Sequence, residues 1–316
     1  MEASQSITDH HDQERSRLMP RKAMSDHRRS NYGTWKKQTR DDDGLRLVGE
    51  QKFVRLDTLC QWFAPGYSRA TSLYPPKEQP KASHGGTRKD ATWPSDQRHR
   101  MMAVHRIVNK WHVMGMAEKW QPWGDEPPWV RLNAAGLAEI GHPDWPEIPW
   151  PDEEDKGRLR DNGDDHLSHV HRVNEARIAL ARGDIKDIPK QHTWHSEREI
   201  EVGLGEKIKG EKRDHEPDGY VELGVAVTWE LPMRSNIRQL FTLPVGSRIA
   251  IEVELSRKRF EAYRSHYLPE LLRLYDGAVY LAYGDAYQAV VTARKELLTS
   301  NEDRKRIRII QLKPVR

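Results

Sequence analysis

Residues 248–255, Arg-Ile-Ala-Ile-Glu-Val-Glu-Leu, constrain this chain more than any other stretch. Ile249, Ile251, Val253 and Leu255 alternate with Ala250, Glu252 and Glu254. A period of two is the signature of a β-strand, and it sets both glutamates on one face. Like charges that close repel unless they face water or share a cation. Upstream, Pro217-Asp218-Gly219 places a third carboxylate at the start of another strand. Asp218, Glu252 and Glu254 together would make an all-oxygen site for Mg2+ or Mn2+, the hard-cation chemistry that hydrolyses phosphodiesters. Each piece alone has an ordinary reading. Pro-Asp-Gly is a common turn tripeptide, and charged residues on a solvent-facing edge strand are usual. Lys258, just past the strand, adds a cation that would stabilise charge developing on a phosphate.

The rest of the chain bounds this reading. At 316 residues the length suggests two domains, with room for a tail. Charged residues make up 32% against 36% hydrophobic, which describes a water-soluble protein with small cores. No run of about eighteen apolar residues occurs, so no transmembrane helix is expected. The polar N-terminus lacks the apolar segment of a secretory signal, and a cytoplasmic location follows by default. One cysteine, Cys60, excludes an internal disulfide framework and a multi-cysteine zinc site. Net charge is only +4, so nucleic-acid binding depends on where the charge lies.

Residues 1–43 are basic and lack hydrophobic periodicity, and read as a disordered arm. Residues 44–142 read as a helical module. A first helix starts at Leu45, a second covers Val54 to Phe63, and a long loop over 65–95 separates them from a third helix that Ser95 caps. Two strands, Met114 to Trp120 and Pro128 to Leu132, and a short helix follow. That is the order of a winged helix-turn-helix domain. The third helix and the strand after it carry Arg98, Arg100, His105, Arg106, Lys110 and Lys119, the cations a major-groove reader needs. Winged helices also serve as protein-protein modules. Residues 143–165, dense in proline, tryptophan and acid, read as a linker partly pinned by Trp145 and Trp150.

Residues 166–316 form the second expected domain. It comprises a helix over His166 to Arg182, an extended segment over Trp194 to Val202 and strands over Gly219 to Glu230 and Gln239 to Leu243. The acid-bearing strand follows, then a helix from Ser256 to Tyr275 interrupted by Pro269. A buried strand at 277–283, a helix and a last strand complete it. Glu197 and Glu199 alternate on the extended segment and would add a ligand. His169, in His169-Val-His171, is a further candidate for the active centre, although a partly exposed helix histidine is equally ordinary.

The order Pro-Asp, gap, acid-x-acid, then lysine resembles the PD-(D/E)xK nuclease superfamily. Trp129-Val-Arg-Leu-Asn-Ala-Ala-Gly136-Leu137, His169-x-His-x-Val173-Asn174 with Arg177 and Leu180, Trp194 with Glu197, Ile251 to Ser256, and Lys258 with Tyr263 extend the likeness. The whole resembles the replication-relaxation family of plasmid and integrative-element proteins, similar to MOBC-type relaxases. The likeness covers about residues 45–290 through short motifs whose order carries it. It implies an α+β or α/β chain, with a winged helix followed by a restriction-endonuclease-like domain. It also implies Asp218, Glu252 and Glu254 as the metal-binding catalytic set. The implied activity is site-specific nicking of double-stranded DNA at a plasmid or mobile-element origin, alongside other transfer or replication proteins. The motif's usual lysine position holds Glu254. That leaves Lys258 as the substitute, or leaves a non-enzymatic DNA-binding accessory protein or regulator as the alternative.

Overall fold

Capping moves the first helix back into the expected arm. α1 spans Thr39–Glu50. The backbone N–H of Gln38 donates to Asp41 Oδ2 at 3.0 Å, so Asp41 closes a reciprocal cap and the helix begins at Thr39, six residues before Leu45. The computed structural model describes residues 38–63, 95–121, 127–150, 166–205, 215–231, 239–255, 263, 267–298 and 300–312. These all belong to one compact unit, Lys37–Arg316. The expected arm before residue 38, the loop over 64–94, and the positions of Ser256 and Lys258 lie outside the described residues.

β1 (Val54–Arg55) leads into α2 (Leu56–Phe63), and α3 (Ser95–Val113) precedes the hairpin of β2 (Ala117–Trp120) and β3 (Trp129–Leu132). α4 (Ala134–Glu139) follows, its first turn capped by Asn133, whose Oδ1 accepts the Gly136 N–H at 3.1 Å. The three strands form an antiparallel sheet in the order β1-β3-β2. Leu45, Val48, Leu56, Leu59, Val108 and Trp111 are buried between the helices and this sheet. Cys60 is buried in α2, and burial, reinforced by the Asp57 carboxylate, pushes its thiol up to about 12.

The remaining elements are α5 (His166–Arg182), β4 (His192–Ser196), α6 (Glu197–Leu204), β5 (Gly219–Leu223), β6 (Val227–Leu231), β7 (Gln239–Leu243) and β8 (Arg248–Glu254). α7 (Leu268–Leu274), β9 (Gly277–Tyr283), α8 (Gly284–Leu297), α9 (Asn301–Lys305) and β10 (Ile307–Leu312) complete the chain. Two expectations change here. The extended run after Trp194 stops at Ser196, whose hydroxyl accepts the Glu199 N–H at 3.2 Å and starts α6. Glu197 and Glu199 therefore share a helical first turn instead of alternating on a strand. The expected strand over 219–230 divides into β5 and β6, which enter different sheets. Pro269 falls at the start of α7, where its missing N–H breaks no helical hydrogen bond.

A five-stranded mixed sheet, β10-β9-β8-β5-β4, is the centre of this half. β10, β9 and β8 run parallel, while β5 and β4 are antiparallel. One face buries Ile249, Ile251, Val253, Val221 and Trp194 against Val173, Ala176 and Leu180 of α5 and against Trp229 and Leu243 of the separate β6-β7 pair. The other buries Ala250, Ala278 and Tyr280 with Tyr263, Leu268, Leu271 and Val290. The chain is thus mixed α+β, and among the described residues no helix is long and apolar enough to cross a membrane.

Polar contacts tie the N-terminal elements to the sheet half. Asn174, fully buried, donates from Nδ2 to the Phe53 carbonyl at 2.8 Å. Thr58 Oγ1 and His171 Nδ1 lie 3.2 Å apart. Arg198 donates to the Gly49 carbonyl at 2.9 Å and to the Pro146 carbonyl, with its guanidinium 5.1 Å over Trp145. Trp150 stacks on Phe53 at 5.2 Å. Both tryptophans of the expected linker are thereby pinned.

Candidate active site

Register assembles the site from separate stretches. Gly219 of β5 pairs with Ile251 of β8, so Asp218, one residue earlier, comes abreast of Glu252. Pro217-Asp218-Gly219 is not a positive-φ turn here, since Gly219 already begins β5 and is not among the left-handed glycines. Its missing side chain has another use: the Trp194 ring occupies the space a Cβ would take. Glycine lets the Trp194 ring lie against the strand just after Asp218.

Asp218 Oδ2 accepts the Val253 N–H at 2.7 Å, and Oδ1 lies 2.7 Å from His169 Nε2. α5 therefore brings His169 to the acid that the sequence singled out. Burial opposes a charge on His169, but the adjacent Asp218 carboxylate, with Glu252 and Glu197 behind it, outweighs burial and lifts the imidazolium to about 9. His169 is thus a cation at neutral pH, held against an anion.

Glu252 and Glu254 share one face as expected, but that face is not solvent. β8 lies between β5 and β9, and the two glutamates are only 3% and 2% exposed. The edge-strand reading is therefore incorrect: β8 is central, and α7 and α8 pack on the carboxylate side. Glu252 Oε1 accepts from His215 Nε2 at 2.8 Å. The Tyr267 ring meets the His215 ring edge-to-face at 4.2 Å, and the His215 N–H donates to Glu270 at 2.6 Å. Tyr280 of β9 is in register with Glu252. Its hydroxyl and that of Tyr263 are buried with no hydrogen-bond partner among the described residues. Burial, then Glu252 and Glu254, push the Tyr280 phenol well above its ordinary range.

A small cleft of about 70 Å³ opens beside Asp218. Glu50, Gln51 and Lys52 line it from the N-terminal half, and His169, Ser196, Glu197 and Arg198 line it from the sheet half. Lys52 Nζ donates to Glu197 Oε2 at 3.0 Å and to Glu201 Oε1 at 2.9 Å. The sequence offered no sign of Lys52, which reaches the site across the fold, or of Tyr280, which looks like an ordinary core aromatic. His215 stood three residues before Asp218 and was legible only in that proximity. Lys258 lies outside the described residues, and among the described residues no three His, Cys, Asp or Glu side chains are grouped to hold a metal ion.

The expected DNA-contacting residues lie on or beside α3. His99, Arg100 and Arg106 are exposed, while His105 and Lys110 are half-buried. Lys119, on β2, is exposed and donates to Asn109 Oδ1 at 2.5 Å. Burial, then the Lys119 charge, lowers the His105 pKa, so it is neutral where the arginines are charged. Arg98 lies in α3, and its side chain is outside the described residues. No family model, curated protein or solved structure matches this chain.

Proposed function

We propose that this chain is a metal-dependent DNA-nicking enzyme of a plasmid or mobile-element origin. Its helix-strand-helix-helix-hairpin half would be a winged-helix DNA reader, and its sheet half a PD-(D/E)xK-type nuclease. The observation that carries this reading is the register that sets Asp218 abreast of Glu252 on neighbouring strands, with Glu254 two residues on along the same face. Carboxylates are the oxygen donors a hard cation takes, and Asp218, Glu252 and Glu254 would have to draw together on it, since among the described residues no three such side chains are grouped to hold a metal. Asp218, Glu252 and Glu254 would hold Mg2+ or Mn2+, which when bound supplies an activated water and offsets charge on the scissile phosphate. His169 orients Asp218 and keeps a positive charge beside it. Arg100, Arg106, Lys110 and Lys119 would neutralise DNA phosphates, a contribution that weakens as salt rises.

The test is a nicking assay on supercoiled plasmid carrying the protein's own genetic neighbourhood, with Mg2+ or Mn2+, beside Asp218→Ala and Glu252→Ala. Open circles with wild type alone support the reading, and nicking by Asp218→Ala overturns the metal site. A second reading, a non-enzymatic DNA-binding accessory protein or regulator, is favoured by one observation. Both Asp218 oxygens already have protein partners, His169 and the Val253 N–H. A specific gel shift with no cleavage at any metal concentration would select it.

A further inference from the structure

We propose that Lys52 completes the active site from the N-terminal half, balancing Glu197 where the cleft opens onto Asp218. This rests on the nuclease reading above. Three observations carry it. First, Lys52 is the non-glycine residue with positive φ among the described residues, at 63°. The Phe53 N–H donates to the Gln51 carbonyl at 2.6 Å, which makes Lys52 the centre of a three-residue turn. A positive-φ turn of that kind is rare and strained, and glycine is the residue that relieves it. A lysine at such a position points to a use for its side chain.

Second, the turn projects the side chain away from its own half. The side chain is 13% exposed, and its ammonium joins Glu197 and Glu201 of α6, 145 and 149 residues away in sequence. Burial opposes the charge, while Glu197 and Glu201 outweigh it and hold the lysine protonated. Third, Lys52, Glu197, His169 and Asp218 line one cleft. Without the ammonium, Glu197 and Glu201 would add uncompensated negative charge where a phosphodiester, itself an anion, must approach. Lys52 is therefore a positioning residue, acting on the approach of the phosphate through Glu197. It also makes a complete site depend on the N-terminal half being docked.

The experiment compares full-length wild type with Lys52→Gly, Lys52→Met and Lys52→Arg, with Asp218→Ala as the inactive control. Lys52→Gly relieves the backbone strain, so its Tm should stay within about 5 °C of wild type. Its nicking rate in saturating Mg2+ should fall about tenfold or more, the scale of losing one oriented charge near a reacting phosphate. Its gel shift on the same DNA should be unchanged. Lys52→Met keeps the stem without the charge and should be equally slow, while Lys52→Arg should recover most of the rate. A purely structural clamp would lower Tm in both uncharged variants and leave the nicking rate of the folded protein alone. Wild-type nicking by Lys52→Gly, with Asp218→Ala inactive, overturns the Lys52 role and leaves the nuclease standing. No nicking by wild type at any Mg2+ or Mn2+ concentration removes the nuclease reading and this inference with it.

Discussion

Replacing Arg198 with methionine tests how firmly the two halves are joined. The residue is 2% exposed, and its guanidinium donates to the Gly49 and Pro146 carbonyls and lies 5.1 Å over the Trp145 ring. Burial, opposed by Glu201, brings its pKa down to about 10, so it remains charged at neutral pH. Hydrogen bonds from a charged donor contribute roughly 1.5–3 kcal/mol each. The contact with a desolvated tryptophan adds roughly 1–2 kcal/mol. Methionine escapes the desolvation penalty of a buried ion, which is several kcal/mol. It fills similar space but leaves two carbonyls dry. The net expectation is a loss of about 2–4 kcal/mol. Urea denaturation followed by tryptophan fluorescence and circular dichroism reads this directly. With a urea slope of about 3 kcal/mol/M the midpoint should fall by about 1 M. Arg198→Lys should recover less than half, because an ammonium cannot fork to both carbonyls. A midpoint unchanged to within about 0.2 M would refute the reasoning, because Arg198 would then be exchangeable for any side chain of its volume.

Two further perturbations address the site's geometry and charge. Gly219→Ala drives a methyl into the Trp194 ring and should cost about 1–3 kcal/mol in urea denaturation; an unchanged midpoint would show that Trp194 can yield. His169→Gln removes a group whose folded pKa, about 9, stands above its ordinary value of 6.5. That group's stabilisation is fully present below about pH 6.5 and is lost as pH rises through about 9. With the His169 side chain 36% exposed, solvent screening reduces this to roughly 1 kcal/mol. Wild type should therefore lose about that much between pH 6 and 10 relative to His169→Gln. Parallel pH profiles for the two proteins would contradict it.

Local patterns were legible where a single element decided them. The alternation over 248–255 gave β8 and the shared face of its glutamates, because side-chain direction in a strand follows period alone. It could not give the neighbours of β8. Whether that face meets water or helices depends on β9 and β5, which arrive from either side in sequence. A Pro-Asp-Gly string likewise looks the same as a turn or as the entry to a strand. Only the pairing of Gly219 with the distant Ile251 and Ser196 decides it. Helix starts at Thr39 and Glu197 were missed because each depends on a local cap, Gln38 with Asp41 and Ser196 with Glu199, that outweighed the apolar spacing used to place the elements. Lys52 and His215 join the acids through contacts between residues tens to more than a hundred positions apart, a distance at which spacing carries no information.

The buried acid face presents a test that separates a structural role from a functional one. Tyr280 is fully buried, in register with Glu252, and its hydroxyl has no hydrogen-bond partner among the described residues. A core selected only for stability would place phenylalanine there, because an unsatisfied buried hydroxyl costs about 1–3 kcal/mol and the ring alone fills the space. A site that must accept a hydrated cation or a phosphate oxygen has reason to keep it. Tyr280→Phe should thus raise stability by about 1 kcal/mol in the absence of divalent metal, and lower nicking where the wild type nicks. The urea midpoint in EDTA and the nicking rate in Mg2+ measure the two effects on the same preparations. A variant less stable by more than about 1 kcal/mol in EDTA would mean that the hydroxyl is satisfied by water bound to the folded protein, so that this face is a solvated core network. A gain in stability together with a loss of nicking is the opposite case, in which the fold carries an unsatisfied group for the sake of the chemistry at Glu252.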